Sequence, residues 1–173
     1  MNNFKKILLV LILIFPINNS FAEAPYYIDF KFILNESDAG KKAQLELKKR
    51  LNDGVKSLST REKNLQESER KILEQKKIIS AEEYKKKVNE LRNKVSKLQK
   101  DRNTLLEKTA NQRANARKQL LENLNPILKK YMVEKKIRMI IDKKNLILAD
   151  ENLNITKDII KLLNNKLKTI KLN

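Results

Sequence analysis

The fold is decided by residues 65–98, which read LQESERKILEQKKIISAEEYKKKVNELRNKVSKL. Before Ser80 the apolar residues recur every seven positions, and after it they follow four-three spacing. Such heptads are typical of helices that pack along one seam. Ser80-Ala81-Glu82-Glu83 matches the S-x-x-E capping box, which marks the start of a helix. The stretch therefore predicts two helices that meet near Ser80.

Both seams continue outward from this stretch, to Leu47 on one side and to Ala116 on the other, with Arg102 and Gln112 as polar interruptions. If the chain folds back at Ser80, the seams face each other in antiparallel register. The facing pairs are Ile72 with Val88, Leu65 with Val95, Leu58 with Arg102, and Leu51 with Thr109. We predict a helical-hairpin arm over residues 38–125, with Gly54 as a soft point in its first helix. The alternative is one continuous helix in an intermolecular coiled coil; the capping box and the mirrored register argue against it.

The arm carries most of the positive charge of a chain whose formal net charge is +18. From Lys41 to Lys118 there are 24 Lys and Arg against 11 Asp and Glu, an excess of 13. A solvated coiled coil needs no such excess, although a general bias of composition toward lysine would also produce one. The excess favours a positive field that speeds capture of acidic partners. We expect Lys85, Lys86 and Lys87, beside the tip, to take part in this capture.

The segments that flank the arm, residues 23–37 and 126–173, predict a small body with short strands. Tyr26–Phe30 alternates like a strand, and Ser37 or Asp38 is a candidate helix cap. Asn125-Pro126 should disturb the helix and kink it or open a new segment. Two further strands are predicted at 138–141 and 146–149, followed by a last helix capped by Thr156.

This body is small for an independent core, and the chain has no cysteine to staple it. The two later strands are apolar on both faces and need cover on both sides. We therefore expect the body to oligomerise. The residues expected in its core are Ile28, Phe30, Ile140, Leu146 and Leu148.

Residues 1–22 have the form of a secretory signal peptide. Lys5 and Lys6 precede an apolar run over residues 7–15, and Ser20-Phe21-Ala22 supplies small residues for cleavage after Ala22. Cleavage would remove two lysines and leave a net charge of +16 on an exported protein. The alternative is an uncleaved signal anchor.

Composition argues against enzymatic chemistry. With no Cys and no His, the usual zinc and iron–sulfur ligands and the Ser-His and Cys-His nucleophile pairs are missing. With only two glycines there is no Gly-rich phosphate loop. We predict no catalytic residue, no cofactor, no metal site and no enzymatic activity.

Four stretches resemble the Skp (OmpH-like) family of periplasmic chaperones. They are Tyr27-Ile28-Asp29 with 33–37 (ILNES), 39–43 (AGKKA), 140–143 (IIDK) with 148–150 (LAD), and Asn154-Ile155-Thr156. Asp38 departs from the proline that often precedes Ala-Gly-Lys in the family, but Asp also suits a first helical turn. The resemblance implies a mainly α fold with a small β body, assembled as a jellyfish-like homotrimer with helical hairpins as tentacles.

The resemblance also implies an ATP-independent holdase that binds unfolded outer-membrane β-barrel proteins in the periplasm. A lipopolysaccharide or anionic lipid surface remains open as a further partner, and nucleic acid is not expected. Two other functions stay open from the residues: an exported basic coiled-coil protein that binds an anionic polymer, nucleic acid or lipopolysaccharide, and an envelope scaffold. The near absence of aromatic residues from the arms argues against nucleic-acid binding.

Overall fold

The computed structural model describes residues 24–172. The predicted signal peptide, residues 1–22 with the cleavage site at Ala22, lies outside the described residues. Within that range, no helix is long and apolar enough to cross a membrane. The elements in chain order are β1 (Tyr26–Ile28), α1 (Phe30–Glu36), α2 (Asp38–Gln75), α3 (Ala81–Lys135), β2 (Ile140–Asp142) and α4 (Thr156–Lys166).

The predicted hairpin is present, with α2 and α3 packed as antiparallel helices. Ser80 precedes α3, and its hydroxyl accepts a hydrogen bond from the Glu83 amide at 3.2 Å. At the other end of the arm, the Ser37 hydroxyl accepts from the Gly40 amide and caps α2. The fold class predicted from the heptads and the capping box, mainly helical with a small sheet, is confirmed.

Two ion pairs join the helices near the middle of the arm. Arg61 contacts Asp101 at 2.7 Å, and Glu62 contacts Arg102. Arg102, the polar residue that interrupts the apolar seam of α3, thus forms an ion pair with Glu62 of α2. Gly54 also faces α3, since a Cβ there would lie 2.7 Å from Leu105 Cδ1. The glycine leaves room for a leucine of the opposite helix.

The body is built around a two-stranded parallel sheet in which Tyr26 pairs with Ile140 and Ile28 with Asp142. Its core joins β1, α1, α4 and the last third of α3. The fully buried side chains of this core are Ile33, Leu120, Leu124, Ile159 and Leu163. Because Leu120 and Leu124 belong to it, the base of the arm and the body share one core.

Four local predictions were wrong. The first strand stops at Ile28, because the Asp29 carboxylate accepts from the Phe32 amide and starts α1 at Phe30. Residues 146–149 form no strand in this chain. They lie between two short turns of 3-10 helix, which the side chains of Asp142 and Asp150 cap.

The other two errors concern the ends of helices. Thr156 is the first residue of α4 and not its cap, and both its amide and its hydroxyl donate to Asn154 Oδ1. Of the two alternatives at Pro126, a kink or a new segment, the new segment is wrong, since α3 runs through Pro126 to Lys135. The helix ends where Lys136 takes a left-handed conformation with φ 57° and the Ile137 amide donates back to the Met132 carbonyl.

Candidate functional site

An open cleft of about 650 Å³ lies between α2 and α3 in the outer half of the arm. Its apolar lining comes from both seams: Leu65, Ile72, Leu73, Tyr84, Val88, Leu91, Val95 and Leu98. Polar residues, among them Glu62, Glu69 and Arg92, also line it. The arrangement offers an apolar surface within a charged border.

The cleft exists because the seam is less completely closed toward the tip. Leu58 and Leu98 are buried, whereas Leu65 and Val88 farther out are only half-buried. Val95, a seam residue, is 50% exposed. A seam of this kind leaves apolar area free to contact another chain.

The structure separates the three lysines that were predicted to capture partners. Lys85 and Lys86 are exposed to solvent. Lys87 is half-buried, and its Nζ bonds Gln75 at 2.9 Å and contacts Glu83 at 3.2 Å. Lys87 therefore ties the two helices together beside the tip, and only Lys85 and Lys86 present free surface charge.

The tip itself, residues 76–80, is apolar as well as basic. Ile78 is 83% exposed. Lys76 lies 5.8 Å from the centre of the Tyr84 ring, at the distance of a cation–π contact. This contact fixes one lysine against the start of α3.

The body residues that were predicted to form an oligomeric core fall into three groups. Ile28 and Phe30 are buried in the core of this chain. Ile140 and Leu146 are half-buried, and Leu148 is 91% exposed next to the fully exposed Ile147. The exposed pair leaves an apolar surface on the body near the sheet.

Shifted pKa values occur at Tyr27 and Tyr131 in the body and at Glu46 and Glu67 on α2. Burial raises the pKa of Tyr131, and the Asp158 carboxylate, which accepts its hydroxyl at 3.2 Å, raises that pKa further. Burial likewise raises the pKa of Tyr27. Within residues 24–172, no cluster of three or more acidic side chains could hold a metal ion.

Two features were missed by the sequence analysis. One is the pair of salt bridges that join α2 and α3 within the arm, for which the polar residue Arg102 in the seam was the available signal. The other is the contact of residues 167–172 with the base of the arm. The interruption at Gln112 was its signal, but sequence alone does not show what fills the space beside it.

Comparison with known proteins identifies a family and a solved structure that share this architecture. The family model "Outer membrane protein (OmpH-like)" matches residues 26–163. The crystal structure of an OmpH-like protein from Caulobacter crescentus CB15, assigned provisionally as an outer membrane chaperone, superposes with a TM-score of 0.79 at 16% identity. That likeness covers 87% of this chain and 90% of the other, and it concerns the fold. None of the curated proteins compared with the chain matches it. Because the family model spans most of the sequence, the chain belongs to the OmpH-like family.

Proposed function

We propose that this protein is an ATP-independent holdase of the periplasm that binds unfolded outer-membrane β-barrel proteins and prevents their aggregation. Membership of the OmpH-like family and the fold shared with a provisional outer membrane chaperone support a chaperone-type role. The single observation that carries the proposal is the half-open apolar cleft between basic helices. Unfolded membrane proteins expose apolar segments, and these need temporary cover in water.

The structure of the cleft suits binding without an energy source. Its apolar residues are already half-covered by each other, so each adds only a modest area when a client binds, at about 25 cal/mol per Å². Many such weak contacts can be made and broken one at a time. The total affinity for a client can therefore be high, and the client can still dissociate stepwise when a partner that binds it more tightly is present.

The positive charge of the arms would set how fast clients are captured. Opposite charges raise association rates, and at physiological salt their field reaches only about 8 Å. Lys85 and Lys86 lie beside the tip, where an approaching chain can meet them first. The same basic surface would serve a lipopolysaccharide or anionic lipid surface as a second partner, which we propose only as secondary.

The body would hold three copies together. A sheet of two strands is marginal by itself, and Ile147 and Leu148 leave apolar area uncovered next to it. A homotrimer would cover that area and place three arms around one space. The residues expected to reach its interface from this chain are Leu146, Ile147, Leu148 and Met139. Light scattering that found a stable monomer at micromolar concentration would refute the trimer.

An aggregation assay tests the holdase function. A porin unfolded in urea is diluted with the protein, and light scattering follows its aggregation. Replacing Leu73 and Val95 with Asp places charges on exposed positions of the cleft, so the fold should persist while protection falls several-fold. The matched control carries Leu162→Asp and Val133→Asp, at exposed positions of the body outside the proposed trimer interface. Full protection by the cleft variant would refute the cleft as the client site.

The assay also separates the alternatives. An envelope scaffold would leave the porin to aggregate even with the parent protein. An anionic-polymer binder would bind lipopolysaccharide or nucleic acid with steep salt dependence and show no effect on the porin. Native mass spectrometry with and without an unfolded β-barrel protein would report the oligomeric state and client stoichiometry together.

The capture step can be tested separately. Lys85→Glu with Lys86→Glu removes two positive charges and adds two negative ones, while Lys87 keeps the tip intact. Stopped-flow fluorescence should show slower capture of an acidic unfolded porin at low salt and a flatter salt dependence. The control, Lys157→Glu with Lys161→Glu, makes the same change of charge on the body. Equal slowing in both variants would assign the effect to net charge alone.

Export is proposed as well, through cleavage after Ala22. N-terminal sequencing of the protein from the envelope fraction should then begin at Glu23. An intact Met1 in washed membranes would support an anchor instead.

A further inference from the structure

The last described residues, 167–172, leave α4 and run across the base of the arm; we call them the tail. The Leu172 carbonyl accepts from Arg50 Nη1 of α2 at 2.8 Å. The side-chain amide of Gln119, on α3, pairs with the backbone of Lys171 in both directions, at 2.7 Å and 3.2 Å. The tail backbone thus binds side chains of both helices.

The side chains of the tail follow the same path. Leu167, Ile170 and Leu172 are half-buried, and Ile170 lines two grooves at the arm base. Lys168 contacts Asp38 at the start of α2 at 3.3 Å. Arg50 also donates to Glu46, and this hydrogen bond lowers the pKa of the Glu46 carboxyl. Polar and apolar contacts therefore hold the tail at the same place.

The contact of Gln112 with the tail shows that the tail packs against the seam between α2 and α3. Gln112 interrupts the apolar pattern of α3, yet its side chain is buried, with 5% exposed. Its Nε2 donates to the Leu172 carbonyl at 3.3 Å. Without the tail, this buried amide would lose that partner, which is costly inside a packed seam.

We propose that the tail is a clasp that holds α2 and α3 together at the base of the arm and limits how far the arm opens. Beyond the clasp the helices are held by Gly54 against Leu105 and by the two ion pairs near residues 61 and 102. Opening of the arm would then begin outside the clasp. Release of the tail would let the two helices separate closer to the body and so give a client more space between them.

Hydrogen exchange measured by mass spectrometry tests the clasp without any client, so its failure is separate from failure of the holdase function. Deletion of residues 168–173 should raise exchange at 43–54 and 105–116 at least tenfold, the effect of losing one net hydrogen bond, because it removes four hydrogen bonds between the backbone of the tail and the two helices. Exchange near Leu124 and Ile159 in the body core should rise less, since of the deleted residues only Ile170 packs against that core. Unchanged exchange at the arm base would overturn the proposal.

A point variant guards against a deletion that unfolds the body. Gln119→Ala removes the paired contact to Lys171 and keeps Ile170 in the chain. Its matched control is Gln99→Ala, since the Gln99 amide bonds Asn103 on its own helix at 3.4 Å. We expect faster exchange at the arm base in the first variant, by a few-fold, and parent behaviour in the second. Equal effects of the two variants would overturn the clasp.

Discussion

The body and the outer arm use apolar residues in different ways. In the body, Ile159 and Leu163 are completely buried against Leu120 and Leu124. In the outer arm, the seam residues Leu65, Ile72 and Leu91 are only half-buried and line an open cleft. The same kinds of side chain thus form a closed core at one end of α3 and an accessible surface at the other.

This difference shows how one helix can serve two purposes. Close packing of Leu120 and Leu124 in the body core fixes the position of the arm, because cavities and overpacking there are costly. Incomplete packing farther out leaves apolar area that a second chain can cover. Outside Leu98 no described seam residue is fully buried, whereas inside it buried residues such as Leu58 alternate with half-buried ones such as Leu51 and Leu105.

The largest effect should come from deleting core volume. Ile159→Ala removes a fully buried side chain and should lower the free energy of unfolding by about 2–5 kcal/mol. Leu91→Ala, in the half-open seam, should cost clearly less because its surroundings are already solvated. Urea titrations at one fixed protein concentration measure both, since assembly affects apparent stability. Equal losses would mean that the outer seam is as closed as the body.

The two glycines of the chain give a second comparison on one helix. A Cβ on Gly40 would overlap the Leu34 carbonyl oxygen, so Gly40→Ala should cost about 1–3 kcal/mol or more. At Gly54 the obstacle is the end of the Leu105 side chain, which can move aside. The gain of about 1 kcal/mol in helix propensity should then leave Gly54→Ala nearly neutral.

Thermal unfolding of both glycine variants, followed by circular dichroism, measures this difference. Leu105→Ala removes the obstacle, so the difference in stability between Leu105→Ala and the double variant Gly54→Ala with Leu105→Ala isolates the effect of helix propensity. A large loss at Gly54 alone would show that the arm is packed as rigidly as the body.

The helical part of the fold was accessible from sequence because heptads and capping are local signals. Ser80 and Ser37 cap helices as their neighbours indicate. The strand at residues 146–149 was predicted wrongly because a strand depends on a partner that sequence does not specify. Instead, the side chains of Asp142 and Asp150 turn the chain. Non-local contacts, such as that of Gln112 with Leu172, could not be predicted for the same reason.

The smallest effect is expected from the ion pairs of the arm. Glu62 and Arg102 are each about 40% exposed, so their coupling should be only about 0.2–1 kcal/mol. A double-mutant cycle with Glu62→Ala and Arg102→Ala measures it, and the coupling should shrink in high salt. Coupling well above this range would mean that the cleft excludes water more than the open seam indicates.

The central claim, that the outer arm and not the body holds an unfolded client, is tested most directly by site-specific photocrosslinking. A photoreactive residue is placed at Leu73 or Val95 in the cleft, or at Val133 on the body, and an unfolded porin is added. Val133 is 80% exposed, more than Leu73 at 58% or Val95 at 50%, so exposure alone would favour the body. We predict porin adducts from both cleft positions and none above background from Val133. Adducts formed mainly from Val133 would contradict the account.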